Sequence, residues 1–134
     1  MCAGTEIRNF HAHVYFDPAT RITAERVRDA LVRDFDAKIT ALVDEPVGPH
    51  PKPMFQVTIA PEQFAVIVPW LMINREGLSI LVHPSTDDPV ADHDSRPIWM
   101  GQPIPIDVEM VRGHVAKLKK QQCEKNEIKE EGSK

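Results

Sequence analysis

Cysteine is almost absent from this chain of 134 residues: Cys2 and Cys123 lie near opposite ends and neither belongs to a Cys-x-x-Cys unit. That excludes a disulfide framework, and no cysteine-based nucleophile motif is present. A reduced, cytoplasmic protein is the expectation. Positive charge is also in deficit, with a formal net charge of −4. No basic patch with interleaved aromatics is found, so a nucleic-acid or anionic-membrane partner is disfavoured. No apolar run approaches the ~18 residues that a membrane span needs. The opening Met1-Cys2-Ala3-Gly4-Thr5-Glu6 has neither the basic nor the apolar part of a signal peptide. A Gly-rich phosphate loop and a Gly-x-Ser-x-Gly elbow are missing as well.

What is present is proline and histidine. The twelve prolines fall in turns and between Pro84 and Pro105, which makes that region rigid rather than flexible. There are six histidines, and the first two, His11 and His13, sit in Asn9-Phe10-His11-Ala12-His13-Val14-Tyr15-Phe16-Asp17. The segment reads as a strand over Arg8–Phe16. Alternation puts Phe10, Ala12, Val14 and Phe16 on an apolar face and His11, His13, Tyr15 and Asp17 on the other. Residues two apart on a strand are roughly 6.5–7 Å apart at Cα. Imidazoles on one side at that spacing can converge on a metal ion at ~2.0–2.2 Å. The competing reading is an exposed strand face with two unrelated histidines.

The rest of the chain supplies a topology. Thr23 is a candidate N-cap for an amphipathic helix over Ala24–Asp36, carried by Val27, Ala30, Leu31 and Phe35. Lys38–Val43 reads as a strand that ends in the turn Gly48-Pro49-His50-Pro51. Pro53–Ile59 is a third strand, with Met54, Gln56 and Thr58 opposite Phe55, Val57 and Ile59. Pro61 opens a second, nearly all-apolar helix that Pro69 must kink or divide and Gly77 ends. Trp70 within it reads as core. Leu78–His83 is the fourth strand. The order βαββαβ predicts an α+β, ferredoxin-like domain over residues 1–113: a four-stranded antiparallel sheet with two helices on one face. A charged tail over 114–134 follows. It lies partly within a possible helix over Asp107–Gln122, and its last dozen residues are expected to be poorly ordered.

In that topology the first and fourth strands are antiparallel neighbours, ~4.8 Å apart. His83 then falls beside His11 and His13 on the face away from the helices, joined by Gln56 and Thr58. His50 is fixed between prolines at the opposite sheet edge. It reaches the site only if the strands are short or curved, or if a second subunit supplies it. His93 lies in the Asp-rich segment after His83, a candidate lid that is also ordinary turn chemistry. His114 reads as surface. Trp99 either walls a pocket or anchors its loop. Imidazoles suit Fe(II), Zn, Cu or Ni. Three ligands on one face of an octahedral ion leave room for a chelating catechol and O2. Whether the third ligand is a histidine or a carboxylate from Asp17 or Asp87–Asp94 stays open at this level. A further histidine can serve as acid or base.

Taken in order, several short motifs carry a resemblance: His11-Ala12-His13-Val14-Tyr15-Phe16-Asp17, Gly48-Pro49-His50-Pro51, Pro69-Trp70-Leu71 with Asn74-Arg75, Leu81-Val82-His83-Pro84-x-Thr86-x-Asp88, Asp92-His93 and Trp99-x-Gly101. Together they resemble the DOPA 4,5-dioxygenase family, the small bacterial and fungal type, over about residues 7 to 107. The resemblance implies a ferredoxin-like subunit, often dimeric, with a histidine-rich metal site. It also implies extradiol opening of a catechol ring, L-DOPA in the fungal members, and marks His11, His13, His50, His83 and His93 as the site. We divide these into metal ligands (His11, His13, His83, with Fe(II) expected and Zn or another divalent ion possible) and acid/base groups (His50, His93). Tyr15, Gln56 and Trp99 are the expected substrate contacts. The expected partners are a catechol, O2 and a second copy of the chain, because a sheet covered on one side leaves its other face bare. A non-catalytic metal- or ligand-binding dimer of the same fold is the alternative.

Overall fold

The computed structural model describes residues 5–132, with side chains through residue 124. Strand β1 (Asn9–Tyr15) alternates as its sequence demands: Ala12 and Val14 are fully buried on one face. On the same face β3 (Met54–Ile59) buries Phe55, Val57 and Ile59, and β4 (Ile80–Ser85) buries Ile80 and Val82. Helix α1 (Arg21–Asp34) packs Ala24, Val27 and Leu31 against them, and α2 (Phe64–Asn74) packs Ile67, Val68 and Leu71. Each fully buried aliphatic side chain contributes ~1.5–3 kcal/mol. The fold's stability therefore sits in this layer, and the opposite face is free to carry polar groups. Trp70 is partly buried against this core, and Leu42 joins it.

The sheet is antiparallel with order β2-β3-β1-β4-β5, where β2 is Lys38–Ile39 and β5 is Ile98–Met100. The α+β class holds and β1 lies between β3 and β4. The expected four strands and two helices are corrected to five strands and four α-helices among the described residues, with α3 (Pro89–Asp94) and α4 (Val108–Gly132) completing the set. A three-residue strand between Pro97 and Gly101 is too short to show a period. Helix α3 did leave a trace: Asp88 caps it by accepting from the Ala91 N–H at 3.1 Å, and Pro89 takes its first position.

Other boundaries move for local reasons. Asp17-Pro18 opens a 3-10 turn in which the Asp17 N–H donates to Thr20 Oγ1 at 2.9 Å. Helix α1 thus starts at Arg21, and Thr23 lies inside it instead of capping it. The strand expected over Lys38–Val43 keeps only two residues, and Val43 makes a single bridge to Met54. Pro69 does not divide α2; the hydrogen bond it forfeits is the one to the Ala65 carbonyl. Gly101 has φ +74°, and an added Cβ would sit 2.5 Å from Arg75 Nη1, so the Trp99-x-Gly101 motif has a backbone reason.

The second face of the sheet is not bare. Tyr15, Met54 and Leu81 form a small apolar cluster under Trp99, Ile104 and Ile106. Helix α4 flanks the rest and buries Val111. The expectation of a poorly ordered last dozen residues concerns side chains that mostly lie outside the described residues. No helix among the described residues is long and apolar enough to cross a membrane.

Candidate active site

Register brings the histidines together. His11 pairs directly with His83 across β1–β4, and His13 lies two residues further along the same face. The Nε2 atoms of His13 and His83 are 3.0 Å apart. One ring nitrogen from each of His11, His13 and His83 falls within 4.8 Å of the others. His13 and His83 are buried and His11 is half-buried. His50 reaches the site because β2 is short. The chain folds back through the turn Val47–His50, with the His50 N–H donating to the Val47 carbonyl at 3.0 Å and Gly48 at φ +57°. The Asp107 N–H, just before α4, donates to the Pro49 carbonyl at 2.9 Å and pins that turn. The His50 ring then lies 4.1 Å from that of His13. His93, on α3, lies 4.3 Å from the His83 ring.

Hydrogen bonds to the ring nitrogens set the tautomers. A carbonyl can only accept, so His83 Nδ1, 2.8 Å from the Pro84 carbonyl, carries the proton and leaves a lone pair on Nε2. His93 does the same through the Pro89 carbonyl at 2.7 Å. His50 is the reverse. Its Nδ1 is 2.7 Å from the buried Tyr15 hydroxyl, which has no second partner among the described residues. Leaving a buried hydroxyl proton unbonded is costly, so Tyr15 donates to Nδ1, and His50 carries its proton on Nε2. With a lone pair on His83 Nε2, the 3.0 Å contact places the His13 proton on Nε2, which donates to His83; His13 would ligate through Nε2 with its proton moved to Nδ1, which is buried and unpartnered. This donor set fits a metal ion held by His11, His13 and His83.

Asp17 and Asp92 are engaged elsewhere. Buried Asp92 accepts from the Thr86 N–H and hydroxyl, both at 2.8 Å, and from Arg96 Nη1 at 3.0 Å. Asp17 pairs with Lys52 at 3.0 Å. Among the described residues the converging set is all histidine. Asp92 instead ties α3 to the end of β4, which holds His93 over His83; residue spacing could not reveal this.

A cavity of about 570 Å³ opens above the site. His11, His13, His50, Gln56 and His93 line it. His114, read as a surface residue, is exposed but lies on the same wall, because α4 crosses there. Two expected substrate contacts lie elsewhere. Tyr15 is under the site, bonded to His50, and Trp99 stacks on Tyr15 at 5.9 Å away from the cavity.

The chain matches the Dopa 4,5-dioxygenase family over residues 10–110. It belongs to the Dopa 4,5-dioxygenase family. A DOPA 4,5-dioxygenase of Amanita muscaria is 35% identical over a 113-residue alignment that covers 78% of this chain and 50% of that protein. An uncharacterized 21.2 kDa protein of Botryotinia fuckeliana is 39% identical over a 115-residue alignment that covers 77% of this chain and 63% of that one. The chain thus spans only half to two thirds of the length of these relatives. A crystal structure of a proposed dioxygenase from Nostoc punctiforme superposes with a TM-score of 0.78 at 50% identity, covering 80% of this chain and 93% of the other.

Burial sets the charge state of His11, His13, His50 and His83 in this family member. Desolvation, then neighbouring imidazoles, pulls His50 down from 6.5 to about 4. Desolvation also outweighs the Pro84 carbonyl's opposing effect and brings His83 to about 4. His11 is lowered and His13 lies well below its ordinary value, both chiefly through burial. The rings are neutral at pH 7, as metal ligation requires. The unfolded chain binds protons on these residues below about 6.5 and the folded chain does not, so acid favours unfolding. Metal-free protein is expected to lose stability as pH falls from about 6.5 towards 4, on the order of several kcal/mol for the cluster. Urea midpoints measured between pH 7 and 4.5 check this; an unchanged midpoint would remove the premise of a buried neutral cluster.

Proposed function

We propose that this protein is a metal-dependent extradiol dioxygenase that opens the ring of DOPA or a related catechol with O2. The observation that carries the reading is the convergence of three histidines, neutral at pH 7, beside two others held in opposite tautomers. Fe(II) is the metal we favour, with Zn or another divalent ion possible in isolated protein. His11, His13 and His83 would hold the ion, since their ring nitrogens converge within 4.8 Å of one another and imidazole suits Fe(II) as well as Zn. When bound, the ion supplies Lewis acidity and the redox link between catechol and O2.

The chain's own residues supply the rest. His93 offers a lone pair at Nε2, which takes a proton from a catechol hydroxyl. His50 offers an N–H at Nε2, which donates to an oxygen atom as negative charge grows on it. Tyr15 acts on the substrate only through His50. Gln56 lines the cavity, its amide nitrogen donating to Thr58 Oγ1 at 3.4 Å, and its amide oxygen can orient the diol. Both atoms of O2 enter the ring-opened product. A homodimer is part of the reading, supported by the family resemblance rather than by an uncovered sheet face.

The test is anaerobic reconstitution with Fe(II), followed by a catechol panel exposed to O2. The expected result is a yellow ring-opened product with one O2 consumed per catechol. Stoichiometric metal without oxygen uptake on any catechol would overturn the proposal.

A further inference from the structure

We infer that the outer side of α2 is a dimer interface, covered by α2 of a second copy in antiparallel two-fold contact; the inference rests on the homodimer of the reading above and gives it a face. Helix α2 carries no charged side chain, and its one polar residue, Asn74, is its last. Its inner side packs Ile67, Val68 and Leu71 on the sheet. Its outer side is apolar as well. Ala65, Val66, Pro69, Met72 and Ile73 are exposed, Val66 at 60%, Met72 at 62% and Ile73 at 83%. Their spacing follows the helical repeat, so they form one stripe over about two and a half turns. A helix that is apolar all round is ordinarily buried on every side. Helix α1 of the same layer shows the usual pattern, with Arg26, Asp29 and Arg33 outward. The bare apolar side is therefore a property of α2 and not of the whole layer.

Area and charge point to a second copy as the occupant. The stripe presents on the order of 500 Å² of apolar surface, at the upper end of what a monomer leaves bare. Ile22 extends it: this residue is 74% exposed one turn before Arg26, whose guanidinium bonds Glu76 just past α2 at 2.9 Å. Two such surfaces face to face remove about 1,000 Å² from water, and their polar rim brings the contact to the ~1,200 Å² or more of a specific interface. Homodimer interfaces are the more apolar class, and a two-fold contact needs a patch complementary to itself. The ends of the stripe meet that need. Glu62 precedes α2, and Asp36 lies at the same end, its carbonyl accepting from Gln63 Nε2 at 2.7 Å. Arg75 and the Arg26–Glu76 pair stand at the other end. Antiparallel α2 helices set the acidic end of one copy beside the basic end of its partner. The histidines lie on the sheet face away from this layer, so each site is complete within one chain and stays open.

Sedimentation equilibrium of the full chain at micromolar concentration tests this. The expected mass is twice 15.1 kDa. Ile73→Glu and Val66→Lys alter exposed positions and leave the core intact, which circular dichroism checks. Each should weaken the dimer at least roughly tenfold, the worth of one buried apolar side chain. Ile98→Glu should leave the dimer unchanged; Ile98 is exposed on the edge strand β5, where a second copy could instead pair strand to strand. A monomeric wild-type protein overturns the inference and leaves α2 to a partner of another kind. A dimer that survives both α2 variants overturns it as well; its loss in Ile98→Glu would then assign the contact to the sheet edge, with the homodimer standing. Fe(II) content and catechol-dependent oxygen uptake on the same samples should not change in the α2 variants. Absence of uptake from every sample sinks the dioxygenase reading and leaves the interface to be decided by mass.

Discussion

His13→Ala and His83→Ala are each expected to abolish stoichiometric Fe(II) binding. Both rings are buried, both are neutral at pH 7, and their Nε2 atoms face each other at 3.0 Å. His83 is held by its bond to the Pro84 carbonyl, so its lone pair stays aimed at the site. Outer groups that only orient a ligand are worth ~10–100-fold in metal affinity; loss of a ligand itself should exceed that. His11 is half-buried and has no such anchor, so His11→Ala should weaken metal binding less. Metal analysis after reconstitution and desalting measures all three, with circular dichroism to confirm folding. Unchanged metal content in both His13→Ala and His83→Ala would refute the ligand assignment.

How much of this site could be read from residues alone depends on the order of the interaction. The pairing of His11, His13 and His83 follows from period-two alternation and the adjacency of β1 and β4, both visible in apolar patterning. The placement of His50 required knowing that β2 stops at Ile39, which no periodicity in residues 38–43 announces. Helix α4 was anticipated only in part, and its cover of the site face not at all. Its apolar residues Met110, Val111, Val115 and Leu118 are sparse in a charged stretch that reads as a solvated tail. Tyr15 shares a strand face with the histidines, so alternation alone makes it a substrate contact. Only its 2.7 Å bond to His50 shows that it lies beneath the site.

Separating His50 from His93 gives the second large effect. The carbonyl of Pro89 holds His93 as an acceptor at Nε2, and the hydroxyl of Tyr15 holds His50 as a donor at Nε2. Neither belongs to the converging triad of ring nitrogens. Removing a general acid or base costs ~10²–10⁴ in rate. His50→Ala and His93→Ala should therefore each lose that much ring-cleavage rate while keeping their metal. Their behaviour should also differ with substrate acidity. A catechol acidified by an electron-withdrawing group gives up its proton more readily, so it should partly restore His93→Ala, which lacks the base. It should not restore His50→Ala, which lacks the donor. Metal content and cleavage rate are measured on the same samples. If both variants lose metal, these histidines are ligands and the division of roles is wrong; if both keep metal and full rate, they are ordinary loop histidines.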